Sequence, residues 1–155
     1  MSNLKEESHG LKIIRKRYSR LPPSVIDTDQ IQTIDRTLKL LNLPKMRILY
    51  WDPLIQFKIP LNCPFHEHWC LKFTDVWVSD KREMRVLFDL DGIIHLDCRY
   101  YTCDINGRAH NILSSDEGIL KTIRNRRTDI NIPFQLYLKS GVTTKLHDYF
   151  IHRYV

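Results

Sequence analysis

Hydrophobic and polar positions along the chain sort it into alternating helical and strand-like stretches. Asp27 or Thr28 stands where a helix is capped, and Ile31, Ile34, Leu38 and Leu41 then recur at steps of three and four, predicting a helix over 27–43 that Pro44 ends. Met46–Trp51 reads as a strand or a short connecting segment, with a turn at Asp52-Pro53. Cys70–Val78 alternates loosely, and Met84–Leu90 is strand-like. Asp91-Gly92 is a hairpin signal, Ile93–Cys103 is its return strand, and Asn106-Gly107 is a second hairpin signal. From Ser114 the pattern becomes helical: Ser114 or Ser115 as cap, Asp116 and Glu117 at the positive end of the dipole, and Ile119, Leu120 and Ile123 on the buried face. Ile132–Leu138 fits helix or strand equally, Ser140-Gly141 breaks the chain, and Thr143 or Thr144 starts a last helix with Leu146, Tyr149 and Phe150. That helix meets no stop signal before Val155, as it would in an excerpt of a longer chain.

These elements predict an α+β fold: an N-terminal helix, an antiparallel β region and C-terminal helices. The chain divides into a flexible basic arm over 1–26, a helix with its connecting segment over 27–60, and an α+β unit over 61–155. The arm is expected because Lys12–Arg20 carries five positive charges in nine positions and Pro22-Pro23 blocks helix continuation.

Composition adds two constraints. At 155 residues, 43% hydrophobic and 27% charged, the chain is long enough for one real core, and no apolar run approaches the ~20 residues of a membrane span. The first ten residues lack the apolar stretch of a signal peptide, so the cysteines point to a reducing compartment, nucleus or cytosol, and to metal or buried thiol rather than disulfides. A net charge of +6 suits an acidic partner, nucleic acid first.

The chemistry is concentrated between positions 63 and 110. All four cysteines (63, 70, 98 and 103) and three of the seven histidines (66, 68 and 110) fall there. Cys63-Pro64-Phe65-His66 is a knuckle with ligand spacing, and Cys103 opens a second cluster, but Asn106 stands where a second x2 ligand belongs. With Asn106-Gly107 as a two-residue loop, Cys103 pairs with His110, and directly opposed residues on one face have Cβ atoms about 5 Å apart. A sulfur and an imidazole so placed reach one zinc ion. The predicted set is therefore Cys63, His66, Cys103 and His110 around one structural Zn2+. His68 and Cys70, which share a strand face, are the alternatives, and Cys98 is a weaker one because its odd spacing from Cys103 places it on the opposite face of a regular strand.

In order along the chain, Cys63-Pro64-Phe65-His66, Trp77, Arg82 to Arg85-Val86, Asp89-Leu90, Arg99-Tyr100, Cys103, Ser115-Asp116 with Ile119-Leu120, Pro133-Phe134 and Lys139–Val142 resemble an uncharacterised zinc-ribbon-containing domain of eukaryotic transposable-element-derived proteins. The resemblance spans about residues 60–150. It implies zinc binding, nucleic-acid association in the nucleus, and an accessory role beside a transposase-like region. In that family's pattern both knuckles carry Cys-x-x-Cys, so His66, Asn106 and His110 are departures.

Phosphate contacts are expected from Arg15, Lys16, Arg17 and Arg20, from Lys81, Arg82 and Arg85, and from Arg124, Arg126 and Arg127, with DNA ahead of RNA. Trp77, Tyr100 and Tyr101 stack on bases or pack in the core. No Gly-rich phosphate loop or Gly-x-Ser-x-Gly elbow occurs, and His66-Glu67-His68 lacks the His-Glu-x-x-His spacing, so the reading is non-catalytic. The alternative is a metal-free protein-interaction module retained from a mobile element.

Overall fold

A computed structural model describes residues 2–105 and 108–154. It is an α+β fold organised by one long strand. Following the chain, α1 (Ser2–Tyr18) leads to β1 (Val25–Asp27), α2 (Thr28–Ile34), β2 (Arg47–Trp51) and the short α3 (Pro53–Gln56). A small hairpin, β3 (Asn62–Cys63) and β4 (His66–Cys70), precedes β5 (Lys72–Trp77) and α4 (Val78–Lys81). Then come β6 (Arg85–Asp89), β7 (Gly92–Ile105), β8 (Arg108–Leu113), α5 (Glu117–Arg126), β9 (Phe134–Leu136), β10 (Gly141–Thr143) and α6 (Thr144–Tyr154).

The first half of β7 runs between β2, which is parallel to it, and β6, which is antiparallel. Its second half runs between β5 and β8, both antiparallel. The pairing order β1-β2-β7-β6-β10-β9 completes the sheet. Where β7 changes partners, its inward parity changes too: Ile94, Leu96 and Cys98 are buried in the first half, Tyr101 and Cys103 in the second. Cys98 and Cys103 therefore share one core despite their odd spacing, which corrects the expectation that they point to opposite faces. Ser114 sits at that junction. Its hydroxyl donates to the Trp51 carbonyl and accepts from the Arg99 amide, and its own carbonyl accepts from the Trp51 indole at 2.9 Å.

β2 is buried on both faces, with Leu49 and Trp51 in one cluster and Ile48 and Tyr50 in the other. The first cluster is closed by Ile119, Leu120 and Ile123 of α5, and the second by Ile14 of α1 with Ile31 and Leu38.

Residues 2–18 correct the expectation of a flexible arm. Leu11, Ile14 and Tyr18 recur at helical steps and pack on the sheet, with Ile14 fully buried, while Lys12, Lys16 and Arg20 occupy the solvent side. The basic residues mask an amphipathic helix. The helix expected over 27–43 is shorter than its apolar stripe: α2 stops at Ile34, and the Asp35 carboxylate accepts from the Thr37 amide to cap a separate 3-10 turn, Arg36–Leu38. Ile34 is consequently exposed. The β6–β7 hairpin lies one residue earlier than expected, since Asp89 pairs with Gly92 and the loop is Leu90-Asp91; Gly92, at φ 125°, supplies the left-handed residue after it. Asp116, not a serine, caps α5 by accepting from the Gly118 amide. Residues 134–136 resolve as strand. No helix among the described residues is long and apolar enough to cross a membrane.

Candidate metal centre

Two hairpins carry the soft ligands. In the first, Cys63 pairs with His66 across the two-residue loop Pro64-Phe65, as the knuckle spacing demands. The pairing then slips, because Asn62 faces Cys70, which leaves β4 irregular behind the knuckle. In the second, Cys103 pairs with His110, Asp104 with Ala109 and Ile105 with Arg108, the register expected from a two-residue loop. The Asn106-Gly107 loop itself lies outside the described residues, as do the side chains of Glu67 and His68.

The hairpins bring Cys63, His66 and Cys103 together, with one ligand atom of each within 4.8 Å of the others. The His66 ring faces both sulfurs: Nδ1 is 3.5 Å from Cys63 Sγ and 3.9 Å from Cys103 Sγ. A tetrahedral zinc with bonds of about 2.3 Å to sulfur and 2.0–2.1 Å to nitrogen has S···N edges of roughly 3.5 Å. The observed separations fit such a site, and the donors are of the soft type that zinc selects. Cys63 and Cys103 are buried and His66 is half-buried. Burial raises the Cys103 thiol above its ordinary range, and the adjacent Cys63 sulfur adds to the shift. The Cys103 thiol therefore holds its proton more tightly than a free one, and a metal ion would displace it.

The fourth predicted ligand, His110, lies outside that group of three and is exposed at its rim. Its ring lies 5.6 Å from that of His66, centroid to centroid, at 49°. Of the alternatives, Cys70 is exposed and donates to Asn62 Oδ1 at 3.7 Å. Cys98 is buried outside the cluster, where burial pushes its thiol up to about 12.

Of the expected phosphate-binding cations, several are already engaged. Arg15 reaches Asp80 and Ser79, both at 3.0 Å, and lies over Trp77. Arg17 pairs with Asp35, and Arg85 donates to the Tyr137 carbonyl. Arg124 meets Glu117 at 3.2 Å, and Arg127 meets Asp129 at 2.9 Å. Lys81 stands over the Tyr100 ring at 5.3 Å. Lys16, Arg20, Arg82 and Arg126 are exposed and in no ion pair among the described residues. Trp77 and Tyr101 are buried, which removes both from any role in stacking on bases.

A polar groove of about 560 Å³ opens beside the knuckle, between Asn62–Pro64 and the face of α5 that carries Lys121, Asn125 and Arg126. Only Arg126 stands out on charge clustering. The recurrence of polar side chains at 121, 122 and 125, opposite the buried 119, 120 and 123, is the sequence signal for the rest. No family model, curated protein or solved structure matches the chain.

Proposed function

We propose that the chain is a non-catalytic, zinc-stapled nucleic-acid-binding module, an accessory of the kind found beside a transposase-like region in mobile-element-derived proteins, acting on DNA ahead of RNA in the nucleus. The observation that carries the metal half of this reading is the convergence of Cys63, His66 and Cys103 from strands up to 40 residues apart onto separations that match a tetrahedral ion. His110 is the fourth ligand. Two imidazoles on one tetrahedral zinc have ring centroids roughly 5 Å apart, and those of His66 and His110 are separated by 5.6 Å. The ion supplies no reaction: four protein ligands close its shell, and it ties β3, β4, β7 and β8 together.

The nucleic-acid half rests on the net charge of +6 and on exposed cations in two places, Lys16 in the last turn of α1 with Arg20 just beyond it, and Lys121 and Arg126 on α5. The test is anisotropy of labelled duplex and single-stranded 20-mers titrated with zinc-loaded protein from 50 to 200 mM salt. Affinity that falls steeply with salt supports the reading. Salt-independent or absent binding rejects it.

A second reading, the protein-interaction module, has its own observation. Phe65, Tyr137 and Leu138 are exposed around a cleft of about 1110 Å³ between the knuckle and the β9–β10 connection. Oligomers that grow with concentration in a protein indifferent to nucleic acid would favour it.

A further inference from the structure

We infer that the groove between the Cys63–His66 hairpin and α5 holds a backbone phosphate of the bound nucleic acid; this rests on the nucleic-acid reading above and names its contact. Among the described residues, no carboxylate lines the groove. Its charged members are Lys121 and Arg126, both exposed and in no ion pair among the described residues. Their neighbours differ in this respect: Arg124 is paired with Glu117 within α5, and Arg127, at its C-cap, with Asp129, whereas Lys121 and Arg126 line the groove. Lys121 and Asn125 lie one helical turn apart on the same face, and Arg126 flanks them.

The opposite wall adds a polar donor. The Asn62 carbonyl oxygen accepts from the Cys70 thiol, and its NH2 group has no partner among the described residues. An ammonium, a guanidinium and two amides around a space free of negative charge form a site for a phosphodiester oxygen pair, with arginine as the fork and lysine as the point charge.

The width of this groove is set by metal-linked residues. Pro64, within the knuckle, packs directly on Gly118 of α5, so the hairpin that carries Cys63 and His66 is also the wall that carries Asn62. Phosphate affinity is therefore coupled to occupancy of the metal centre, although no groove residue apart from Cys63 is a ligand.

The test uses the full chain loaded with zinc and a fluorescein-labelled 20-base-pair DNA duplex, read by anisotropy at several salt concentrations. Lys121→Ala with Arg126→Ala is compared with Arg124→Ala with Arg127→Ala, after matched thermal melts establish that both fold. The groove pair is expected to lose about 10- to 100-fold in affinity and to lower the salt slope by about one, since one neutralised phosphate contributes about 0.9. The paired-arginine variant is expected to lose less than about threefold. Equal losses in the two variants, or an unchanged slope in the groove variant, overturn the groove while leaving nucleic-acid binding in place. A wild-type chain that does not bind the duplex removes the nucleic-acid reading itself.

Discussion

Pro64 lies so close to Gly118 that a Cβ at position 118 would stand 2.5 Å from Pro64 Cβ and 2.8 Å from its Cγ. Within a helix, alanine is ordinarily favoured over glycine by about 0.5–1 kcal/mol. Here the intruding methyl meets a ring that cannot rotate away. Gly118→Ala is therefore expected to destabilise the protein by about 1–3 kcal/mol, the usual cost of overpacking, and to weaken zinc retention against a chelator. Urea denaturation checks the first effect, and a more stable variant would mean that the knuckle does not pack on α5.

A buried ion pair holds the other side of the core. Asp52, 1% exposed, accepts from Arg99 at 3.0 Å and from the Tyr101 hydroxyl at 2.5 Å. Arg99 also lies over Phe73, at 4.4 Å from its centroid. Removing one partner of such a pair strands a charge, so Arg99→Ala is expected to cost about 3–5 kcal/mol. Tyr101→Phe leaves the arginine in place and is expected to cost about 1.5–3 kcal/mol. Equilibrium unfolding of both variants tests the ranking, which the reverse order would contradict.

Much of this architecture was legible in the residues, and the exceptions have physical causes. The Cys103–His110 pairing followed from turn chemistry alone, because a two-residue loop at Asn106-Gly107 allows one register. The α5 face followed from Ile119, Leu120 and Ile123. What sequence periodicity could not show was the change of partners in β7, since parity within a strand holds only while the strand stays in one sheet. The α1 helix was hidden for a different reason: its charge density is that of a solvated tail, and only packing of Leu11, Ile14 and Tyr18 on the sheet stabilises it. Asp35 ended α2 by capping a new turn, a choice that apolar spacing does not encode.

Asp97 gives a pH dependence of defined sign. It is buried, accepts from the Ser79 amide at 3.1 Å and the Ser79 hydroxyl at 2.6 Å, and burial pushes its pKa from 3.8 up to about 6. A carboxyl whose folded pKa lies above its unfolded value binds protons more tightly in the folded state. Its contribution to stability therefore falls as pH rises from about 4 to 6 and is fully lost above that. Asp97→Asn keeps an acceptor for Ser79 and removes the charge. The expected outcome is a gain of about 2–3 kcal/mol at pH 7.5 that shrinks by pH 4.5. Thermal melts at the two pH values decide, and a variant less stable than wild type at pH 7.5 would show that the ionised carboxylate is favourable where it sits.

The ligands should not be equivalent. Cys63 and Cys103 are buried, and His66 faces both, whereas His110 lies at the rim. Cys63→Ser, His66→Ala and Cys103→Ser are each expected to abolish zinc binding, while His110→Ala, whose place water can take, is expected to weaken it about 10- to 100-fold, on the scale seen when support for a metal site is removed. Competition against a chromophoric chelator measures all four. Equal losses would make His110 as central as the other three.

The most direct test is elemental analysis of the untagged protein purified without chelator, combined with X-ray absorption at the zinc edge. The account predicts about one zinc per chain with two sulfur ligands at about 2.3 Å and two nitrogen ligands at 2.0–2.1 Å, and loss of the metal in Cys103→Ser. A folded wild-type protein that contains no zinc, takes up none when it is added, and melts at the same temperature with and without chelator would contradict it.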